Sequence, residues 1–135
     1  MGLEKMDMQD ETAVKSVGAF GGGIASSGNV CGTLLGGIAM ISIIYSRASL
    51  DEKENPRIWA LSNKFMRQFE ELTKDYGGIN CRDIARVDWK DRDAVKEYYS
   101  NPESNRKVCV KLVGDAAYAL GVLLEHEAAG KKNKS

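Results

Sequence analysis

The hydrophobic pattern of this chain repeats at helical rather than strand spacing almost everywhere. Ala13, Val14, Val17 and Phe20 fall at steps that predict a short helix over 10–20. Gly21–Gly23 then end it, and Ser26, Ser27, Gly28 and Asn29 continue a polar, glycine-rich turn. From Val30 to about Ala48 the residues are apolar nearly all round, with Asn29 as the expected N-cap, which predicts a buried central helix. Asn55 and Pro56 form a helix start, and Leu61, Phe65, Phe69, Leu72 and Tyr76 trace the clearest amphipathic stripe before Gly77 and Gly78. Asn80 caps a further short helix with Asp83 in its first turn, and 91–99 predicts another. A last helix from about Pro102 to Glu127 places Val110, Val113, Ala117, Leu120 and Leu124 on one stripe. Nothing alternates as a strand and no internal repeat is present. The expected fold is all-α, a compact bundle of about four to six helices around the central apolar helix at about 30–48. The expected organisation is a flexible N-terminus over 1–10, one helical domain over 11–127 and a flexible basic tail over 128–135.

Composition narrows the classes of partner. A chain of 135 residues buries roughly two thirds of its unfolded surface, so it folds without needing a metal or disulfide staple. Lys plus Arg and Asp plus Glu balance at 19 each, which leaves no global field to attract a polyanion. Lys131, Lys132 and Lys134 are locally basic, yet three lysines past the last apolar residue read as a solvated end, so no nucleic acid is expected. The stretch from Ser16 to Ser46 carries no charge, but its glycine-rich half is polar. The rest is shorter than the roughly 20 residues a bilayer helix requires, so no membrane partner is expected. The charged start Met1–Glu11 lacks the pattern of a secretory signal, and Met6 stands where a myristoylation site needs Ser or Thr. A cytoplasmic location follows as an expectation. In that reducing compartment three cysteines do not make a disulfide framework.

The candidate chemistry rests on Cys31, Cys81 and Cys109. The first two fall at predicted helix starts, where unsatisfied amides and the positive helix end favour thiolate, and Arg82 and Lys107 add positive charge near the second and third. Against this stands the usual role of a lone cysteine as a small buried hydrophobe. Separations of 50 and 28 residues, with no C-x-x-C pair, mean that a shared site must be assembled by tertiary packing. The absence of C-x-x-C-H excludes covalent haem attachment. Gly32 and Gly36 suit either close helix packing or room for a bulky cluster beside Cys31. Gly21–Gly23 could form an amide nest, without the strand or lysine of a nucleotide loop. His126, flanked by Glu125 and Glu127, reads as a solvated side chain, and Trp59, Trp89, Tyr98 and Tyr99 as core or interface aromatics. No serine, histidine and acid arrangement is present, so an electron-transfer or redox-accessory protein is a better expectation than a hydrolase or transferase.

The glycine turn from Phe20 to Gly23, the run Cys31-Gly32-Thr33-Leu34-Leu35-Gly36, and the downstream Cys81 and Cys109 together resemble the redox-active C_GCAxxG_C_C family of small bacterial and archaeal proteins. The resemblance spans about Ala13 to Leu124, with Thr33 where the family has alanine. It implies a redox protein in which Cys31, Cys81 and Cys109 bind an iron–sulfur cluster or metal for electron transfer, with Gly32 and Gly36 beside the cofactor. The family has a further cysteine upstream of the glycine turn, and none precedes Cys31 here, so a site within this sequence has three thiolates rather than four. A fourth ligand then comes from another residue, an exogenous ligand or a second chain. A homodimer and a redox partner protein are the partners this implies. Two alternatives stay open: a metal-free thiol and disulfide protein, and a helical scaffold or dimerisation module with buried cysteines.

Overall fold

The computed structural model describes residues 2–133; Lys134 and Ser135, at the end of the expected basic tail, lie outside them. Among the described residues the chain is all-α, with seven α-helices, no strand and one isolated antiparallel bridge between Val30 and Asn80. The helices are α1 (Gly2–Lys5), α2 (Glu11–Ser16), α3 (Gly32–Tyr45), α4 (Arg57–Thr73), α5 (Cys81–Ala85), α6 (Arg92–Ser100) and α7 (Arg106–Lys132). Short 3₁₀ turns at Gly18–Phe20 and Lys74–Tyr76 extend α2 and α4.

The long helices α3, α4 and α7 pack on one another and enclose the core. Its fully buried members include Leu34 and Ile41 from α3, Leu61, Phe65 and Phe69 from α4, and Leu112 and Ala116 from α7. A Cβ at Gly37 would overlap the Phe65 ring, so the bare backbone of α3 is the socket into which α4 inserts that ring. Thr73, buried at the end of α4, returns its hydroxyl to the Phe69 carbonyl at 2.8 Å. Asp10 caps α2 through its carboxylate, which accepts from the Ala13 amide, and Asp91 caps α6 by accepting from Asp93 and Ala94.

Three expectations need correction. Asn29 does not cap α3; the cap position belongs to Cys31, and Asn29 is drawn instead toward α5, where its carbonyl accepts from the Cys81 amide at 2.7 Å. The buried stripe of α7 is Leu112, Ala116 and Leu123, while Val110 and Val113 are exposed. Two neighbouring faces of α7 are both apolar, so periodicity alone could not choose between them. The helix also begins four residues later than expected, which puts Cys109 in its first turn, and runs on to Lys132. Lys131 and Lys132 suit the negative end of a helix, and the Lys131 ammonium lies over the Tyr45 ring at 4.9 Å.

Candidate functional site

Cys31, Cys81 and Cys109 come from three separate elements that meet at one corner of the bundle. Cys31 is the residue before α3, Cys81 opens α5, and Cys109 lies in the first turn of α7. Two short strand-like segments bring the first two together. The Cys31 amide donates to the Ile79 carbonyl at 2.9 Å and the Cys81 amide to Asn29, on either side of the Val30–Asn80 bridge. Cys109 packs against both the main core and a smaller cluster of Cys81, Ala85 and Tyr98. All three are free thiols, and each pair is near enough to interact electrostatically.

Two aromatic residues address the sulfurs directly. Trp89 donates its indole Nε1–H to Cys81 Sγ at 3.3 Å, and the Tyr98 hydroxyl is hydrogen-bonded to the Cys109 thiol. The rings of Trp89 and Tyr98 meet edge to face at 5.1 Å, and Tyr99 continues the series from Tyr98 at 5.1 Å. The sequence alone predicts packing aromatics at these positions. No spacing rule distinguishes an indole that meets a sulfur from one that meets a methyl group.

The helix-start argument for a favoured thiolate does not hold for Cys81, nor does the positive charge expected near Cys109 favour its thiolate. Burial pushes the Cys81 thiol up from its ordinary value of 9.0; the Trp89 hydrogen bond opposes this, and the charge of Cys31 adds to it. Burial also pushes Cys109 up, against the Tyr98 hydrogen bond and with the charges of Cys81 and Cys31. Tyr98 is itself raised, first by burial and then by its bond to Cys109. The expected cations serve other groups. Arg82 donates to the Gly28 carbonyl at 3.0 Å and to the Asn29 side chain, and Lys107 pairs with Glu103 at 2.6 Å.

The glycine-rich turn forms one wall of the site. Gly22, Gly23, Ile24, Ala25 and Ser26 all have positive φ, between 51° and 72°, so five consecutive residues turn through the left-handed region. Left-handed backbone costs an L-residue about 1–2 kcal/mol, so Ile24, Ala25 and Ser26 are held there by their surroundings. The amides of Gly28 and Asn29 return to the carbonyls of Gly22 and Gly23, and Ser27 Oγ donates to Gly23 at 2.6 Å. A Cβ on Gly23 would stand 2.6 Å from Cys81 Cβ, so this glycine lets the turn press directly against the thiol residue. Gly32 has a comparable packing role, since a Cβ there would stand 2.6 Å from the Phe20 carbonyl oxygen, whereas Gly36 has open space beside it. His126 is exposed on α7.

The fold and site together define an all-α protein that brings three free thiols to one corner of its helical bundle. A family model described as "Putative redox-active protein (C_GCAxxG_C_C)" matches residues 1–122, and the chain belongs to that family. No curated protein and no solved structure matches the chain. Among the described residues no helix is long and apolar enough to cross a membrane.

Proposed function

We propose that this chain performs redox chemistry at sulfur, with Cys81 and Cys109 cycling between dithiol and disulfide and Cys31 serving as the third thiol. The observation that carries this reading is the meeting of three free thiols from separate elements, with Cys109 packed against the cluster that holds Cys81 and the Trp89 indole donating to the Cys81 sulfur. Oxidation takes two electrons and two protons from the pair and forms one S–S bond. The acceptor is a disulfide on a small molecule or a redox partner protein, which leaves as two thiols. Because burial raises both thiol pKa values, the resting pair is protonated, and the two donors stabilise whichever sulfur becomes thiolate during exchange. A reducing cytoplasm suits a bond that must open as readily as it closes.

The test is a titration against defined dithiol and disulfide buffers, followed by alkylation and peptide mass spectrometry. A two-electron transition that yields a Cys81–Cys109 linked peptide is expected. A chain that keeps three free thiols at every poise, or that links Cys31 to Cys81 as readily as Cys81 to Cys109, rejects the assignment.

The convergence of three potential thiolates with hydrogen-bond donors aimed at sulfur also favours a second reading, an iron–sulfur cluster used for electron transfer. As placed, the cysteines do not fit it unaided: among the described residues no group of three or more His, Cys, Asp or Glu side chains is arranged to hold a metal ion. Such a cluster requires the thiols to draw together and a fourth ligand from elsewhere, a second copy of the chain included. Iron and sulfide analysis of anaerobically purified protein decides between the readings, and colourless protein free of both removes the second.

A further inference from the structure

Beside the thiol corner, on the far side of Trp89, lies a polar cavity of about 470 Å³ between the glycine-rich turn and the segment that follows α5. Its charged lining is Arg82, Arg86 and Lys90 against the single carboxylate of Asp88, an excess of positive charge in a chain whose charges otherwise cancel. Arg82 is committed to Gly28 and Asn29 and forms part of the wall. Arg86 and Lys90 have no side-chain hydrogen bond or ion pair among the described residues. Asp88 Oδ1 is engaged by the Lys90 backbone amide at 3.0 Å, which shapes the turn that presents the Lys90 side chain. Arg86 is held at φ 53° where α5 ends, a left-handed conformation that non-glycine residues seldom adopt. Ser26, at the end of the left-handed turn, also lines the cavity.

We propose that this cavity binds a small, multiply charged anion bearing phosphate or carboxylate groups, held by Arg86 and Lys90 with Trp89 as its inner wall. A guanidinium offers two parallel N–H bonds to a planar or tetrahedral oxyanion, and an ammonium adds a movable point charge. Two cations without partners, facing one cavity, repel each other until an anion lies between them. Trp89 lines the cavity and also donates to Cys81, so an occupant changes the surroundings of that indole. The proposal goes beyond the redox reading and does not depend on it.

Trp59→Phe leaves Trp89 as the sole tryptophan and so gives a direct readout. The fully reduced variant is titrated with pyrophosphate and, separately, with citrate, at ionic strength held constant with sodium chloride. A saturable change in Trp89 emission is expected with at least one of them, and the more effective anion identifies the phosphate or carboxylate class. Binding should weaken about tenfold or more in Arg86→Gln/Lys90→Gln. If circular dichroism shows that double variant unfolded, Lys90→Glu alone, on an exposed turn, repeats the comparison. No saturable response to either anion, or equal affinity in the folded charge variants, overturns the proposal.

Discussion

The core between α3, α4 and α7 and the corner that holds the three cysteines are built on opposite terms. In the core, the buried side chains are apolar but for the Tyr45 phenol and the Thr73 hydroxyl, and the Thr73 hydroxyl is bonded to its own helix. Each element takes its intrinsic conformation, and shape complementarity such as Phe65 in the Gly37 socket supplies the fit. In the corner, Cys81 and Tyr98 are buried with Cys109 and Trp89 half-buried against them, and five consecutive residues have left-handed φ. The core therefore supplies stability while the corner consumes some of it to hold sulfur in a chosen place, a division that recurs where structure serves chemistry.

Removal of the ring that joins the core helices should have the largest effect. Phe65→Ala is expected to lower unfolding free energy by about 3–5 kcal/mol, read from urea denaturation. A loss under about 1 kcal/mol would mean that the Gly37 socket is not where the core is joined. The corner should respond next to Gly23→Ala, which combines a positive φ with an overlap on Cys81. A loss of about 1–3 kcal/mol is expected, with faster alkylation of Cys81 as the turn lifts away. Gly114→Ala, a helical position of α7 with nothing within 4 Å of the added methyl, should instead gain about 0.5–1 kcal/mol. Equal losses at the two glycines would erase the distinction between the regions.

Alkaline pH should affect the corner more gently. Cys81 and Cys109 have folded-state pKa values above the ordinary 9.0, so below that value both states hold the proton and stability is at its full level. As pH rises past it the unfolded chain ionises first, and stability falls until the folded thiols ionise too. The urea midpoint is therefore expected to drop above about pH 9. Trp89→Phe, which removes a donor that favours thiolate, should deepen the drop, and Cys81→Ala should reduce it. A midpoint independent of pH in that range would show that the thiols are not desolvated. The smallest effect belongs to the rim of the core, where Arg57 grips Glu127 through two bonds of 2.7 and 2.6 Å. Arg57→Gln should cost less than about 1 kcal/mol and matter less in high salt.

Much of the core could be read from the sequence because it obeys periodicity. The stripe Leu61, Phe65, Phe69 is buried as expected, and the Asn55–Pro56 start lies within two residues of α4. On α7, Leu120 and Leu124 do pack against the core, but Val110 and Val113 face outward because Leu112 and Ala116 are as apolar as they are, and only the partner helices select a face. The corner was legible only as a list of residue types. Three cysteines could be named, but their pairing depends on Asn29 and Ile79 accepting from Cys81 and Cys31, contacts made across about 50 residues of chain. The expectation of favoured thiolates failed because helix position is local, whereas burial, which reversed it, is tertiary. Trp89 and Tyr98 went unrecognised for the same reason.

The left-handed turn at Ile24, Ala25 and Ser26 has a consequence that concerns chirality itself. At these positions the side chain present is the wrong enantiomer for the path the backbone takes, and the mirror-image amino acid would adopt that path at rest. A chain made by chemical synthesis with D-alanine at position 25 would relieve a conflict that no L-residue with a side chain removes. At this one wall of its thiol corner, the protein is shaped against the handedness of its own building blocks.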